Sequence, residues 1–252
     1  MKHIISLGAG VQSTTMALLA QKGEITPRVD FAVFADTGHE PAHVYTHLNW
    51  LETQVSFPIY RTKYGNLSDD MDMVPFYIMK DGVKGMGQRR CTKYYKTMPV
   101  EKKIRELLGL EPRQRTKGPI ATVWVGISID EVQRMKDSTN KWSLKRHPLI
   151  DAGMNRQDCL NWMEKNNYPE PAKSACIFCP YTDNMRWKDM KQNQPKDFKE
   201  AIKWDNEVRN MSKDFTSYLH RNAIPLEEAV FTDDDIGQTN MFNDECDGVC
   251  GI

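Results

Sequence analysis

The feature that most constrains the fold of this chain is the regular alternation of apolar, β-rich runs with helical patterns over its first 127 residues. Strands are expected at residues 2–7, 31–35, 58–62 and 121–127, with helices at residues 11–22, 40–55 and 99–108 and an irregular stretch at residues 64–88. Strands separated by helices in this way form a parallel sheet with helices on both faces. Ligands of such sheets bind at the carboxyl ends of the strands.

The composition is that of a soluble globular protein large enough to form one large domain or two small ones. We expect an α/β domain at residues 1–150, a helix-rich region at 151–225 and a flexible tail at 226–252. No apolar run approaches the length of a membrane span, and the N-terminus carries no signal-peptide pattern. These observations predict a cytoplasmic protein, in which paired cysteines more often indicate metal binding or catalysis than structural disulfides.

A glycine-containing turn follows the first expected strand. Gly8 and Gly10 end the strand, and Ser13 and Thr14 open the next helix. Glycines let a backbone approach an anion, and the free N–H groups of a helix N-terminus favour phosphate. No Gly-Lys-Ser/Thr occurs in the chain, which excludes a Walker motif, and the dinucleotide fingerprint lacks its third glycine. A phosphate site or a tight structural turn therefore both remain compatible with this segment alone.

Several segments, taken in order, resemble the phosphoadenosine phosphosulfate reductase family of the PP-loop superfamily. They are Ser6-Leu-Gly-Ala-Gly-Val-Gln-Ser-Thr14, Phe34-Ala-Asp-Thr-Gly-His-Glu-Pro41, Arg90-Cys-Thr-x-x-x-Lys-x-x-Pro99 and Gly126-Ile-Ser-Ile-Asp-Glu131 with Arg134. Gln12 stands where ATP-pyrophosphatase relatives have Asp, and Ser128 replaces the usual Arg of the last segment. The resemblance implies a Rossmann-like PP-loop fold of the HUP type that binds an adenine nucleotide.

The resemblance also implies which residues contact the nucleotide and its phosphates. They are Ser6, Gly8, Gly10, Gln12, Ser13, Thr14, Asp36, Thr37, Gly38, Arg89, Arg90, Lys96, Gly126, Glu131 and Arg134. Basic residues are concentrated between positions 84 and 117, where eleven Lys or Arg face three acidic residues, although the whole chain is neutral. Such a run is most often a solvated surface, but the basic pair beside Cys91 favours an anion site. Asp36 is expected either to orient the ribose or to cap the following helix.

The six cysteines form the second informative pattern. Cys176 and Cys179 form a C-x-x-C whose tight turn can direct both sulfurs towards one metal. The resemblance adds Cys91 as a third ligand, but Arg90 stands where iron–sulfur relatives have a second cysteine. We expect Cys159 as the fourth ligand, with an ordinary buried cysteine as its alternative. The spacing leaves a 4Fe-4S cluster and zinc both open, together with a redox dithiol or no site at all.

The C-terminal Glu245-Cys-Asp-Gly-Val-Cys-Gly-Ile252 resembles the reductase tail, whose cysteine attacks the sulfur of the bound phosphosulfate. This resemblance makes Cys246 and Cys250 the expected catalytic thiols, and the alternative is a disordered end with incidental thiols. His39, His43 and His47 recur every fourth residue. Because no carboxylate or cysteine follows them in register, we expect a polar helix face near the nucleotide rather than a metal site.

Three functions are compatible with these features. The first is an oxidoreductase of the phosphoadenosine phosphosulfate reductase family, for which a thioredoxin-like protein is the expected reductant. The second is an ATP-pyrophosphatase-type sulfurtransferase that requires Mg²⁺ to neutralise the leaving pyrophosphate. The third is a non-catalytic nucleotide-binding module with a structural zinc. Gln12 favours the first function. A nucleic acid acceptor and a homo-oligomeric state stay open, because nothing in the sequence indicates either.

Overall fold

The fold, described from a computed structural model for residues 1–231, is built on a five-stranded parallel sheet of order β3-β2-β1-β6-β7. The elements of the sheet and its connections are β1 (Lys2–Leu7), α1 (Val11–Lys22), β2 (Phe31–Asp36), α2 (Ala42–Gln54), β3 (Ile59–Lys63), β6 (Ala121–Val125), β7 (Ser143–Arg146) and α4 (Pro148–Asp151). A short 3-10 segment, Ile129–Arg134, follows β6. This architecture confirms the predicted α/β class with a parallel sheet.

Helices cover both faces of the sheet because successive strand residues point to opposite sides. Ile5 and Leu7 of β1 join one core cluster beneath α1, α2 and α5 (Arg156–Lys165). Ile4 joins the cluster beneath α3 (Met98–Leu107) on the other face. Helix α5 begins at a capping box formed by Asn155 and Asp158, and it packs on α1. The first part of the region expected at 151–225 therefore belongs to the core of the sheet.

A third core cluster lies around the cysteine segments. It combines side chains before α3, such as Leu67 and Tyr95, with side chains after residue 175, such as Phe178 and Trp187. Its elements are β4 (Tyr77–Lys80), β5 (Val83–Met86), a π-helix at Thr92–Thr97, α6 (Asn184–Asn193), α7 (Pro195–Val208) and β8 (Thr216–Tyr218). Strands β5, β4 and β8 form a small antiparallel sheet in that order.

Two expectations differ from the observed fold. Residues 64–88, expected to be irregular, contain the β4–β5 hairpin, whose Asp81-Gly82 turn has left-handed backbone at both residues. Residues 226–231 do not fit the flexible tail expected from residue 226, because Leu226 and Ala229 are buried and Phe231 packs on the third cluster. The rest of that expected tail lies outside the described residues. Within residues 1–231 no helix is both long and apolar enough to cross a membrane.

Candidate functional site

The glycine loop, residues 8–14, lies between β1 and α1 at the carboxyl edge of the sheet. Gly10 is the N-cap of α1 and has no side chain to cap it, and the first turn contains no acidic residue. Exposed N–H groups and the positive end of the helix dipole at such a terminus favour an anion. Ala9 has a left-handed backbone with φ of 58°, a strained conformation that costs about 1 kcal/mol or more and often occurs at functional sites.

Gly126, which follows β6, lies directly against the glycine loop. A Cβ atom at this position would come within 2.9 Å of the Ser13 N and Cα atoms, closer than real side chains approach. Only glycine therefore allows the two backbone segments to meet here. This close approach brings together two of the segments on which the family resemblance rests.

Gln12 points from α1 towards the segment after β6. Its Nε2 lies 3.5 Å from Ser128 Oγ and 3.4 Å from Glu131 Oε2, and Glu131 also accepts a hydrogen bond from Arg134. The Gln12 Oε1 atom is buried and has no hydrogen-bond partner among the described residues. Glu131 thus joins Gln12 to Arg134 and orders the glycine loop from one side.

The Asp-Thr-Gly segment, residues 36–38, follows β2 beside the glycine loop. The two loops are neighbours because β1 and β2 are paired, with Leu7 opposite Phe34. Asp36 Oδ1 accepts hydrogen bonds from the Gly38 N–H group and the Tyr45 hydroxyl, both at 2.7 Å. The carboxylate therefore holds its own turn and the Tyr45 side chain of α2, but it does not cap α2, whose N-cap is Pro41 without a side-chain cap hydrogen bond.

Three of the predicted cysteines line one cavity with two of the predicted cations. This cysteine cavity is bounded by Thr37, Leu67, Val74, Pro75, Arg89, Cys91, Lys96, Cys176, Phe178, Cys179, Pro180 and Tyr181. Cys91 and Cys179 are half-buried and Cys176 is buried. Thr37 brings the Asp-Thr-Gly segment to the thiols, because its Oγ1 atom lies 3.2 Å from Cys176 Sγ. The sequence segments for nucleotide and sulfur chemistry thus converge.

A buried acid and a buried cation lie near the Cys176 thiol. Glu40 Oε1 accepts a hydrogen bond from Thr37 Oγ1 at 3.1 Å and lies 3.8 Å from Cys176 Sγ. The Lys96 ammonium is 3.6 Å from the same oxygen, and the two side chains are only 5% and 1% exposed. Lys96 also lines a second cavity, between α3 and the sheet. Lys96 therefore lies at both cavities, with the buried Glu40 as its ion-pair partner.

Burial dominates the protonation of this site. It raises the pKa of Cys176 well above its ordinary value, an effect that the negative charge of Glu40 reinforces and Lys96 opposes. Burial lowers the pKa of Arg186, while Cys179, Glu40 and Asp183 counteract this effect. A thiol at position 176 is therefore protonated at neutral pH in the protein as described, and any deprotonated sulfur would have Lys96 and Arg186 as counter-charges.

A backbone hydrogen bond joins the Asp-Thr-Gly side to the C-x-x-C segment. The Ile177 N–H group donates to the His39 carbonyl oxygen at 3.0 Å. Phe178 stacks on Trp204 with ring centroids 4.0 Å apart, and His39 packs on Phe178 at 4.9 Å. The aromatic stack fixes the turn between Cys176 and Cys179 against α7.

The other predicted cations and cysteines are placed differently. Arg89 lies over the Tyr181 ring at 4.9 Å and lines the cysteine cavity, whereas Arg90 is 3.6 Å from Asp72 and does not line it. Cys159 is fully buried in the core beneath α1, where burial raises its pKa to about 12. It therefore lies in a different core cluster from Cys91 and Cys176. Cys246 and Cys250 lie outside the described residues.

The thiols of the cysteine cavity are the type of ligand that a soft metal prefers, but the described side chains are not arranged to hold one. Three thiols share the cysteine cavity, which fits zinc or an iron–sulfur cluster in ligand type. Among residues 1–231, however, no group of three or more His, Cys, Asp or Glu side chains is arranged to hold a metal ion. Cys159, the expected fourth ligand, is in the apolar core instead. We therefore derive no chemical step through a metal, and the cluster or zinc stays a prediction.

Glu40 and Arg186 were not among the site residues predicted from the sequence. Glu40 belongs to the Asp-Thr-Gly-His-Glu-Pro segment, and its position three residues after Thr37 allows the two side chains to meet. Arg186 follows the N-cap Asp183 of α6, which begins shortly after the C-x-x-C segment. The signal that could have identified them is the presence of a charged residue within a few positions of each loop.

The three predicted histidines, His39 beside the Asp-Thr-Gly segment and His43 and His47 on α2, have different neighbours. His47 Nε2 lies 3.1 Å from Thr14 Oγ1 of the glycine loop, and burial lowers its pKa to about 4. His39 packs beside Phe178, and burial lowers its pKa and that of His43. His39 lies before α2, so only His43 and His47 are on that helix and the expected single face of three histidines is not formed.

Comparison with known proteins gives structural matches but no match to a family model or to a curated sequence. A crystal structure of phosphoadenylyl-sulfate (PAPS) reductase from Candida auris, in a phosphate complex, is similar at a TM-score of 0.43 and 14% identity. The match covers 68% of this chain and 75% of that chain. This degree of similarity does not assign the chain to a family.

Proposed function

We propose that the chain is an enzyme that binds an adenine nucleotide or sulfonucleotide at the glycine loop and performs thiol-dependent sulfur chemistry on it. Two lines of support are independent of each other. The first is the family resemblance of four ordered sequence segments. The second is the geometry of the site, in which those segments meet at one edge of the sheet.

The observation that carries the proposal is the contact between Thr37 Oγ1 and Cys176 Sγ at 3.2 Å. Thr37 belongs to the segment expected to bind the nucleotide, and Cys176 belongs to the segment expected to supply sulfur chemistry. A tight structural turn at the glycine loop would not require a thiol cavity beside it. The meeting of the two groups therefore supports a shared chemical purpose.

In the reductase version, the N–H groups of the glycine loop would hold the nucleotide phosphates, and Arg89 and Lys96 would attract the anionic phosphosulfate. Arg90, which pairs with Asp72, has a weaker claim to this role. The Cys246 thiolate would attack the sulfur atom, and the S–O bond would break with its electron pair leaving on the nucleotide. Attack on the resulting S-sulfocysteine by Cys250 or a thioredoxin-like dithiol would release sulfite and form a disulfide.

A binding panel with Gly126→Ala tests the proposal. ATP, adenosine phosphosulfate and phosphoadenosine phosphosulfate would be titrated by calorimetry, and turnover followed with dithiothreitol present. Gly126→Ala pushes a methyl group against the Ser13 backbone, so we expect the affinity for the bound nucleotide to fall by about tenfold or more. Gly118→Ala is the matched control, because a Cβ there meets nothing within 4 Å.

The panel also separates the versions of the function. Turnover of a sulfonucleotide supports the reductase, whereas Mg²⁺-dependent release of pyrophosphate from ATP supports the sulfurtransferase. Binding without turnover of any of the three compounds supports the nucleotide-binding module. The proposal of a nucleotide site fails if the wild-type protein binds none of them, or if a folded Gly126→Ala binds as tightly as Gly118→Ala.

A metal centre on Cys91, Cys176 and Cys179 is part of the same proposal and has its own readout. Anaerobically purified protein would be assayed for iron, zinc and sulfide, with an absorbance spectrum. Broad absorbance at about 400 nm indicates an iron–sulfur cluster, and a colourless protein with one zinc per chain indicates a closed zinc site. Cys176→Ser should lose the metal and Cys159→Ser should retain it. Equal loss in both variants would restore Cys159 as a ligand.

A further inference from the structure

The second cavity, between α3 and the sheet, lies on the face of the sheet that α1 does not cover, and we call it the α3 cavity. Its volume is about 60 Å³, room for roughly four to six water-sized groups. Such a space suits a small ligand and not a nucleotide. Thr139 lines the cavity and is exposed, so a ligand can enter from solvent at this point.

The walls of the α3 cavity are mainly apolar. Val100 and Ile104 lie one turn apart on α3, so both side chains reach the same side of the helix. Val123 and Val125 lie on one face of β6, because strand residues two apart point the same way. The buried Trp142, just before β7, completes these walls. They favour a ligand with an apolar part, which gains by leaving water.

Two opposite charges face this apolar space. Glu101 of α3 and Lys145 of β7 line the cavity, and both are half-buried. Burial raises the pKa of Glu101 and lowers that of Lys145, because neither charged form is fully hydrated there, and the charge of each opposes this effect on the other. Asn140 Nδ2 donates to Glu101 Oε1 at 2.6 Å and so holds the carboxylate in place.

Hydroxyl groups add hydrogen-bonding capacity to the α3 cavity. The Thr97 Oγ1 atom is buried and has no hydrogen-bond partner among residues 1–231. Ser138 Oγ lies 2.9 Å from Ser143 Oγ, and both residues line the cavity. Because buried polar atoms normally have a partner, the Thr97 hydroxyl indicates that a further polar atom belongs beside it.

The pair of opposite charges indicates the class of ligand. A simple carboxylic acid would match Lys145 but would bring its negative charge near Glu101, and a simple amine would have the converse problem. A ligand that carries both charges meets each side chain with its opposite, and its carbon chain contacts the apolar walls. Lys136 and Asp137 also act on Lys145, but their effects have opposite signs. They therefore do not decide the sign of the ligand.

We propose that the α3 cavity binds a small α-amino acid with a short apolar side chain. Lys145 holds its carboxylate, Glu101 holds its ammonium group, and its side chain packs between α3 and β6. None of these contacts uses the glycine loop, so the inference goes beyond the proposed function and does not depend on it. Lys96 lines both this cavity and the cysteine cavity, so the bound amino acid lies beside a residue that the two sites share.

Calorimetry with three compounds that share one carbon skeleton tests the inference. They are L-valine, isovalerate, which lacks the amino group, and isobutylamine, which lacks the carboxylate. The full-length protein binds L-valine with a dissociation constant below about 1 mM. It binds each of the other two at least about tenfold more weakly, because each lacks one of the two charge-assisted contacts.

Two variants separate the contacts. Glu101→Gln weakens L-valine binding by about tenfold or more but does not weaken isovalerate, which has no ammonium group to lose its partner. Lys145→Met weakens L-valine binding to a similar extent but does not weaken isobutylamine. Glu106→Gln and Lys141→Met make the same changes at exposed positions that do not line the cavity, and they change each affinity by less than about twofold.

Three outcomes overturn the inference. The first is no binding of L-valine at about 10 mM. The second is binding of isovalerate as tight as that of L-valine, which would indicate a simple anion site. The third is an equal loss in Glu101→Gln and Glu106→Gln, which would place the amino acid elsewhere. Thermal denaturation shows whether each variant is folded, and the first two outcomes need only the wild-type protein. L-valine binding in a protein that binds no nucleotide would refute the proposed function and leave this site standing.

Discussion

The two buried cysteines of the described chain lie in regions of opposite character. Cys159 lies in an apolar core beneath α1, where Thr15 is its hydrogen-bonding neighbour. Cys176 lies among Thr37, Glu40 and Lys96 beside a cavity. Burial raises both thiol pKa values, and a cation opposes it in each case. The cation that acts on Cys159 is the half-buried Arg156, whereas Cys176 has the buried Lys96 and lies beside a cavity. Burial alone therefore does not distinguish the two cysteines, but their surroundings do.

The largest expected effect comes from removing the acid of the charged region. Glu40→Leu leaves the buried Lys96 ammonium without its ion-pair partner and should lower the free energy of unfolding by about 3–5 kcal/mol, measured by urea denaturation. Glu52→Leu breaks the more exposed pair with Arg61 and should cost no more than about 1 kcal/mol.

A double variant shows whether the ion pair is the cause. Adding Lys96→Met to Glu40→Leu removes the uncompensated charge, so part of the lost stability should return. If Glu40→Leu proves as mild as Glu52→Leu, the contrast between a charged cavity and an apolar core is not real.

A smaller effect separates the two cysteines directly. Cys159→Ser places a hydroxyl in the apolar core, where Thr15 offers it a single partner, and should lower the free energy of unfolding by about 1–3 kcal/mol. Cys176→Ser should cost less in a metal-free protein, because Thr37 and Glu40 offer polar partners. Thermal and urea denaturation would measure both variants.

Thiol labelling sharpens the same distinction. With iodoacetamide at pH 8, the half-buried Cys91 and Cys179 should react first. Cys159 should react only as fast as the protein unfolds, since it is fully buried. If Cys159 were labelled at the rate of Cys179, its placement in the apolar core would be wrong.

The smallest effect concerns the side of α2 that faces the glycine loop. The pKa of His47 is lowered to about 4 in the folded chain, whereas it is about 6.5 in the unfolded chain. Between these values the unfolded chain binds a proton that the folded chain does not, so stability should be lost as pH falls from about 6.5 towards 4. After allowance for partial exposure, we expect about 1 kcal/mol. Denaturation at several pH values would show this loss, and His47→Gln should flatten the curve.

Most of the sheet was predictable from the sequence because its strands are buried apolar runs. Strand β1 and helix α1 have the expected bounds, and β2 is one residue longer than expected. Strand β7 was missed because Ser-Leu-Lys-Arg at a sheet edge carries no apolar pattern. The β4–β5 hairpin was missed as well, although Asp81-Gly82 is a recognised turn signal.

The candidate site was only partly predictable, since its charges come from distant parts of the chain. The motifs led to Thr37, Cys91, Cys176 and Cys179, which the structure places around one cavity. Glu40 and Arg186 act through tertiary contacts, and single-sequence patterns do not report such contacts. Cys159 was expected to be either a metal ligand or a buried core cysteine. Its place in the core depends on which face of α5 packs against α1, and the spacing of the cysteines alone did not decide this.

The hydrogen bond from Ile177 to the His39 carbonyl has a consequence for how this protein can change over time. Main-chain groups are present whatever the side chains are, and only proline at position 177 would remove the donor. Mutations at positions 39 and 177 can therefore accumulate while the two halves of the site stay attached to each other. The thiol-bearing segment can therefore change its side chains while it keeps its place beside the Asp-Thr-Gly segment.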